Sequence, residues 1–299
     1  MDDEGQVSRR TVLAGAGALA LGLVGAGELA EHDVLPGRVT LHQLLRLNGP
    51  NGRAPRIATG PVLNGSFVSA ARRGTRTNWR LIYPPGHTPG AALGLLVVLH
   101  GRGDDCTCVT HGLAFDRYLA AAVMAGVPPF AIVGVDGSDR YWHARSAGDD
   151  SGAMVTDELL PLMADRGLRT ARPAYLGYSM GGYGALLLAE RQGPAKVSAV
   201  VAESPALWHN ASDTPSGAFD DDADFATHDV IAARAKLTGI PLRIDCGKGD
   251  PFYPVTRDLV RELTPRPAGG FQPGAHTGGY WRRMAPAQLR FVGNHLAGT

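Results

Sequence analysis

The stretch LGYSMGGYG, residues 176–184, lies between the apolar run PAY at 173–175 and the helix-like run ALLLAERQG at 185–193. Its reading decides the fold. A serine on a strand-to-helix turn is held in a cramped backbone conformation, so the residues two before and two after it must lack side chains for the turn to close. Gly177 and Gly181 meet that demand around Ser179. The turn aims the hydroxyl out above the sheet, and the helix behind it brings free N–H groups and a positive dipole end.

Working outward, strands and helices alternate on both sides of this turn. Residues 93–101, LGLLVVLHG, form a continuous apolar run suited to a strand buried on both faces. Ahead of it, SFVSAAR (66–72) and NWRLIYPP (78–85) read as strands. After it come a helix at 113–126, a strand at 130–137 and a helix at 152–167 with Met154, Val155, Leu159, Leu162 and Met163 at helical spacing. Beyond the turn, KVSAVVAES (196–204) and IPLRIDCGKGD (240–250) predict strands, and 252–263 and 281–297 predict helices. Antiparallel strands feeding a βαβ series predict an α/β fold, one mostly parallel central sheet with helices on both faces. Residues 207–235 interrupt the rhythm with a long polar excursion, the kind of insertion that is usually functional or mobile.

The 299 residues are 44% hydrophobic and carry 29 basic against 28 acidic side chains, a net charge of +1. So much apolar material at so low a charge argues against disorder, and the absence of excess Lys and Arg argues against a nucleic-acid partner. Residues 1–30 read as an address. Arg9 and Arg10 precede an Ala, Gly and Leu stretch too short and too weakly apolar for a membrane span, which resembles a twin-arginine export signal. Export to an extracytoplasmic, secreted or envelope-associated location is the expectation. Val24 to Ala26 and Gly25 to Gly27 offer small-residue cleavage sites, and an uncut segment would associate the chain with the membrane. Residues 31–65, rich in Pro and Gly without sustained periodicity, read as a linker or N-terminal arm.

A serine hydroxyl is a weak nucleophile at neutral pH. It needs a histidine to take its proton and an acid to hold that histidine in the right tautomer. On this kind of sheet the chain order is Ser, acid, His. Asp250, in the turn after a late strand, is the preferred acid. Asp245 lies within that strand, and Glu203 at the end of the preceding one is the rival. His276, in the Gly-rich segment GAHTGGYW (274–281), is the preferred base, because His228 precedes Asp250 and His295 falls in the closing helix. The developing oxyanion needs amide donors. The N–H of Met180 is one, and a second is expected at Arg102 or its neighbour Gly101, in LHGRGDD (99–105). Gly101, Trp208 and Trp281, together with Trp142 and His143, fall near sheet-end loops and are candidates to line a substrate pocket.

No metal site is expected. The acidic run Asp220, Asp221, Asp222 and Asp224 lacks the Gly turn and terminal Glu of a calcium loop, and reads as a solvated face. Three cysteines are too few for a disulfide framework, but export would permit one bond, from Cys106 or Cys108 to Cys246.

LHGRGD (99–104), the stretch 136–161, LGYSMGGYGAL (176–186) and IDCGKGDPF (244–252) resemble the esterase D branch of the α/β-hydrolase superfamily, which also includes bacterial mycolyltransferases. The resemblance covers residues 66–299, and makes that stretch an α/β-hydrolase catalytic domain. It implies a triad of Ser179, Asp250 and His276, an oxyanion hole at Met180 and Arg102, and no cofactor. The stretch 136–158 looks like a family element bordering the active site. Arg102 stands where lipase-like relatives carry more Gly. The expected activity is hydrolysis of small-molecule or lipid esters through an acyl-enzyme. An acyltransferase using the same triad, or a non-catalytic envelope protein on this scaffold, are the alternatives.

Overall fold

The structure is a computed structural model describing residues 37–297. The twin-arginine segment at 1–30 lies outside the described residues. Eight strands form one sheet: β1 (Val62–Ser69), β2 (Thr75–Ile82), β3 (Gly94–Leu99), β4 (Phe130–Val135), β5 (Arg169–Tyr178), β6 (Ala199–Glu203), β7 (Leu242–Gly247) and β8 (Ala268–Gln272). Their order across the sheet is β1-β2-β4-β3-β5-β6-β7-β8. The β1–β2 and β2–β4 pairs are antiparallel, and every later pair is parallel.

Helix α1 (Arg38–Leu44) precedes the sheet. It is followed by α2 (Phe115–Met124), a composite α3 (151–164), α4 (Met180–Gln192), α5 (Asp222–Thr227), α6 (Tyr253–Glu262) and α7 (Gly278–Leu296). The middle of α3, Met154–Leu159, is wound as a π-helix. Period-two alternation along the central strands feeds two cores. In β3, Leu95, Val97 and Leu99 face one side with α3, α4 and α6, while Leu96 and Val98 face the other with Phe115 and Leu119 of α2 and Leu289 and Val292 of α7. Both faces are thus covered, which is why the central strands are apolar without interruption.

Three differences from the sequence reading have physical causes. The segment read as a linker or arm is docked over its described part. The buried Arg38 of α1 donates to the carbonyls of Lys248 and Asp250, and Gly52 N–H donates to Gly279 O at 2.7 Å. Strand β8, whose sequence AGGFQ carries no β-branched residue, had no periodicity to announce it. Cys106, Cys108 and Cys246 are free and buried, so the one bond that export would permit between them is not formed. The carbonyl of Cys106 lies against Gly134 of β4, whereas Cys246 is on β7, four strand steps away. At about 4.8 Å per step the gap is roughly 19 Å, far beyond what a disulfide spans. Among the described residues no helix is long and apolar enough to cross a membrane.

Candidate active site

All six parallel strands end at one rim of the sheet, and the candidate residues gather there. Ser179 stands between β5 and α4 with φ 55° and ψ −123°. The crowding that excludes side chains is visible at both flanking glycines. A Cβ on Gly177 would overlap the carbonyl of Gly181, and one on Gly181 would overlap the carbonyl of Leu99. Neighbouring strands pin the turn. Ser179 N–H donates to Glu203 O at 3.0 Å, and its carbonyl accepts from Ala206 N–H at 2.9 Å.

Ser179 Oγ lies 2.9 Å from His276 Nε2, and His276 Nδ1 lies 2.9 Å from Asp250 Oδ2. The three side chains come from turns after β5, β7 and β8, separated by 97 residues at their widest hydrogen-bonded step. Asp250 is fully buried, and its second oxygen accepts from Phe252 N–H at 2.9 Å. A carboxylate so held accepts a hydrogen bond from the Nδ1–H of His276, which leaves Nε2 bare toward the serine hydroxyl. Trp281 and Phe252 meet the imidazole edge-on at 5.1 and 5.3 Å and fix its plane. Trp281 therefore packs directly against His276, lies tilted against Tyr178 at 4.5 Å, and donates to Ser204 Oγ at 3.3 Å.

Glu203, the rival acid, is buried beneath the turn, and neither carboxyl oxygen has a well-formed hydrogen-bond partner. Burial, reinforced by the neighbouring Asp245, pushes its carboxyl well above the usual range. It stays in the interior, away from the imidazole, while His276 Nδ1 faces Asp250.

The loop after β3 passes beside the serine. A Cβ on Gly101 would press on Tyr178 and touch Ser179 Cβ. The buried His100 holds this loop: Gly137 N–H donates to His100 Nε2 at 2.9 Å, so His100 Nδ1 carries the proton and donates to Gly101 O at 2.7 Å. Burial lowers the pKa of this ring, in keeping with that neutral tautomer. Because the Gly101–Arg102 peptide is trans, fixing the carbonyl also fixes the direction of the Arg102 N–H on its other side. Asp139 accepts from Gly103 N–H at 2.7 Å and lies 3.9 Å from the half-exposed Arg102 guanidinium. The stretch 136–158 thus steadies the loop beside the serine. Sequence reasoning placed His100 with Gly101 at the sharp turn of this loop but did not foresee the hydrogen bonds of His100 and Asp139, because those bonds go to backbone groups that no residue pattern reveals. Met180 N–H opens α4, where the first N–H groups have no partner within the helix.

Not every candidate lining residue faces the site. Trp142 and His143 are fully buried, Trp142 under Gly184 of α4 and His143 beside His228, so neither lines an open pocket. Trp208 is half-buried and packs edge-on against Phe252 at 5.5 Å, near the base.

The family model described as "Putative esterase" matches residues 70–267. His276 falls just beyond that span. Among solved structures the chain is similar to a substrate-bound fluorophosphonate-binding serine hydrolase F of Staphylococcus aureus, with 20% identity and a TM-score of 0.65 over 79% of this chain and 100% of that one. It is also similar to a ferulic acid esterase, with 18% identity and a TM-score of 0.66 over 80% of this chain and all of that one. The S-formylglutathione hydrolase of Staphylococcus aureus gives 21% identity and a TM-score of 0.63 over 78% of this chain and 99% of that one. No curated protein matches the chain. These likenesses carry the α/β-hydrolase fold, and the family match carries the class: the chain belongs to the esterase family and is a carboxylic ester hydrolase.

Proposed function

We propose that the chain is an exported serine esterase that works through an acyl-enzyme. Ser179 attacks the ester carbonyl, His276 accepts its proton and returns it to the leaving alcohol, and Asp250 orients the imidazole and stabilises the imidazolium. Water, activated by the same histidine, then discharges the acyl group. The amides of Met180 and Arg102 receive the oxyanion, each such donor contributing about 3 kcal/mol to the transition state. The observation that carries this reading is the unbroken hydrogen-bonded line from Ser179 through His276 to Asp250, at 2.9 Å for each step. The substrates are small-molecule or lipid esters.

A fluorophosphonate should label Ser179, and Ser179→Ala should cut turnover of a p-nitrophenyl ester by roughly 10³-fold or more while the far-UV circular dichroism is kept. Loss of only a few-fold activity in that variant would remove Ser179 from the mechanism. Export rests on Arg9, Arg10 and the stretch behind them. Replacing both arginines by lysine should retain the protein in the cytoplasm, and unchanged secretion of that variant would refute the route.

A further inference from the structure

The polar excursion after β6 and the loop after β4 meet in a cluster that the ester chemistry does not use. Asp224 of α5 lies between two histidines: His143 Nε2 is 3.2 Å from its Oδ2, and His228 Nδ1 is 2.8 Å from its Oδ1. The two rings stack with centroids 4.2 Å apart. One ligand atom from each of the three residues lies within 4.8 Å of the others, and the side chains are 0%, 12% and 7% exposed in the order His143, Asp224, His228.

The contacts of His143 distinguish its two ring nitrogens. Its Nδ1 is 3.0 Å from the carbonyl of Tyr141, an acceptor only, so Nδ1 must carry a proton. Its Nε2 faces a carboxylate, also an acceptor only. With the proton on Nδ1, Nε2 is the ring's ligand atom, and it points at Asp224 Oδ2.

We propose that His143, Asp224 and His228 bind a divalent transition-metal ion of the zinc class. Two imidazoles and one carboxylate, with a remaining position for water, are a donor set suited to Zn²⁺ and poorly suited to Ca²⁺ or Mg²⁺. The surroundings are those of a ligand set. A ligating histidine commonly donates its other N–H to a backbone carbonyl, as His143 does to Tyr141, and Asp224 Oδ2 is oriented by Asp220 N–H at 2.8 Å. His228 Nδ1 also donates to the Asp224 carbonyl at 2.7 Å; on binding the ring turns from that carbonyl, Nδ1 releases its proton to solvent and the ion takes its place. The metal then ties the excursion to the loop after β4, and its binding is independent of whether Ser179 is the nucleophile.

The test uses the full chain, stripped with chelator and then titrated with Zn²⁺ by calorimetry and with Co²⁺ by visible absorption. One ion per chain, with a Kd of about 1 μM or tighter, d–d bands of protein-bound Co²⁺ and a raised melting temperature are expected. His143→Gln and Asp224→Asn should lose the bands and the thermal shift while still reacting with a fluorophosphonate. Nitrogen hyperfine coupling on Cu²⁺ bound to the wild type provides a readout that needs no variant to fold. The proposal is overturned if the wild type takes up no Zn²⁺ or Co²⁺, if the variants bind as tightly as the wild type, or if the bound Cu²⁺ shows no imidazole nitrogen.

Discussion

Ser179 occupies a backbone conformation with positive φ that L-residues rarely adopt, and such positions cost about 1–3 kcal/mol where the surroundings enforce them. Here the hydrogen bonds to Glu203 O and from Ala206 N–H enforce it. Glu203 has its own consequence for stability. Its carboxyl is pushed well above the usual range in the folded chain, so the folded state keeps this proton to higher pH than the unfolded state does. The associated stability is therefore complete below the unfolded value of about 4.3 and is lost as pH rises toward the folded value. Glu203→Gln should lack this slope: the melting temperature of the variant, relative to wild type, should rise between pH 5 and pH 8. Roughly 1 kcal/mol corresponds to about 2–4 °C in a domain of this size. A difference that is flat with pH would show that Glu203 titrates normally. At this scale the line of Ser179, Asp250 and His276 was readable in advance, because the flanking glycines and the Ser, acid, His order are written in the chain. The upward push on the Glu203 carboxyl was not, since it follows from the layers that bury it.

Helix α4 shows how an element is held over the sheet. Its residues Met180–Glu190 are all buried, and Gly184 lets the fully buried indole of Trp142 reach the helix backbone. A Cβ at Gly184 would overlap that indole. Gly184→Ala should cost about 1–3 kcal/mol of stability through this overpacking, read as a lower melting temperature, with activity per folded molecule retained. An unchanged melting temperature would mean that the ring has room to move. The strand and helix alternation from β3 to α4 was legible, because doubly buried strands are uninterrupted apolar runs and helices keep a 3.6-residue period. Helix α1 and strand β8 were not. Only Arg38 and His42 of α1 are buried, and β8 has two glycines among its five residues, so neither carries an apolar period.

On the scale of the whole molecule, the segment from residue 37 onward straps the late turns together. Arg38 donates to the carbonyls of Lys248 and Asp250 and lies over the ring of Tyr253 at 4.7 Å, while Arg282 of α7 donates back to Gly52 O at 3.2 Å. Arg38→Ala should leave the sheet intact but loosen the Asp250 turn, lowering kcat by about 10- to 100-fold, as small misplacements of a reacting group do. Rates of wild type and variant measured with the same ester decide this, and equal values would make the strap purely structural. Sheet order also explains why the cysteine pairing misled: sequence shows which strands exist, but the four-strand separation of Cys106 from Cys246 exists only once they are ranked side by side.

The strap bears on how such a chain can be matured. On the export reading proposed above, a peptidase that cut at the small residues around 24–27 would leave Arg38 in place, whereas a cut beyond residue 38 would discard the guanidinium that holds the Asp250 turn. On that same reading, the window for trimming closes ahead of residue 38, set by what a new amino terminus must preserve.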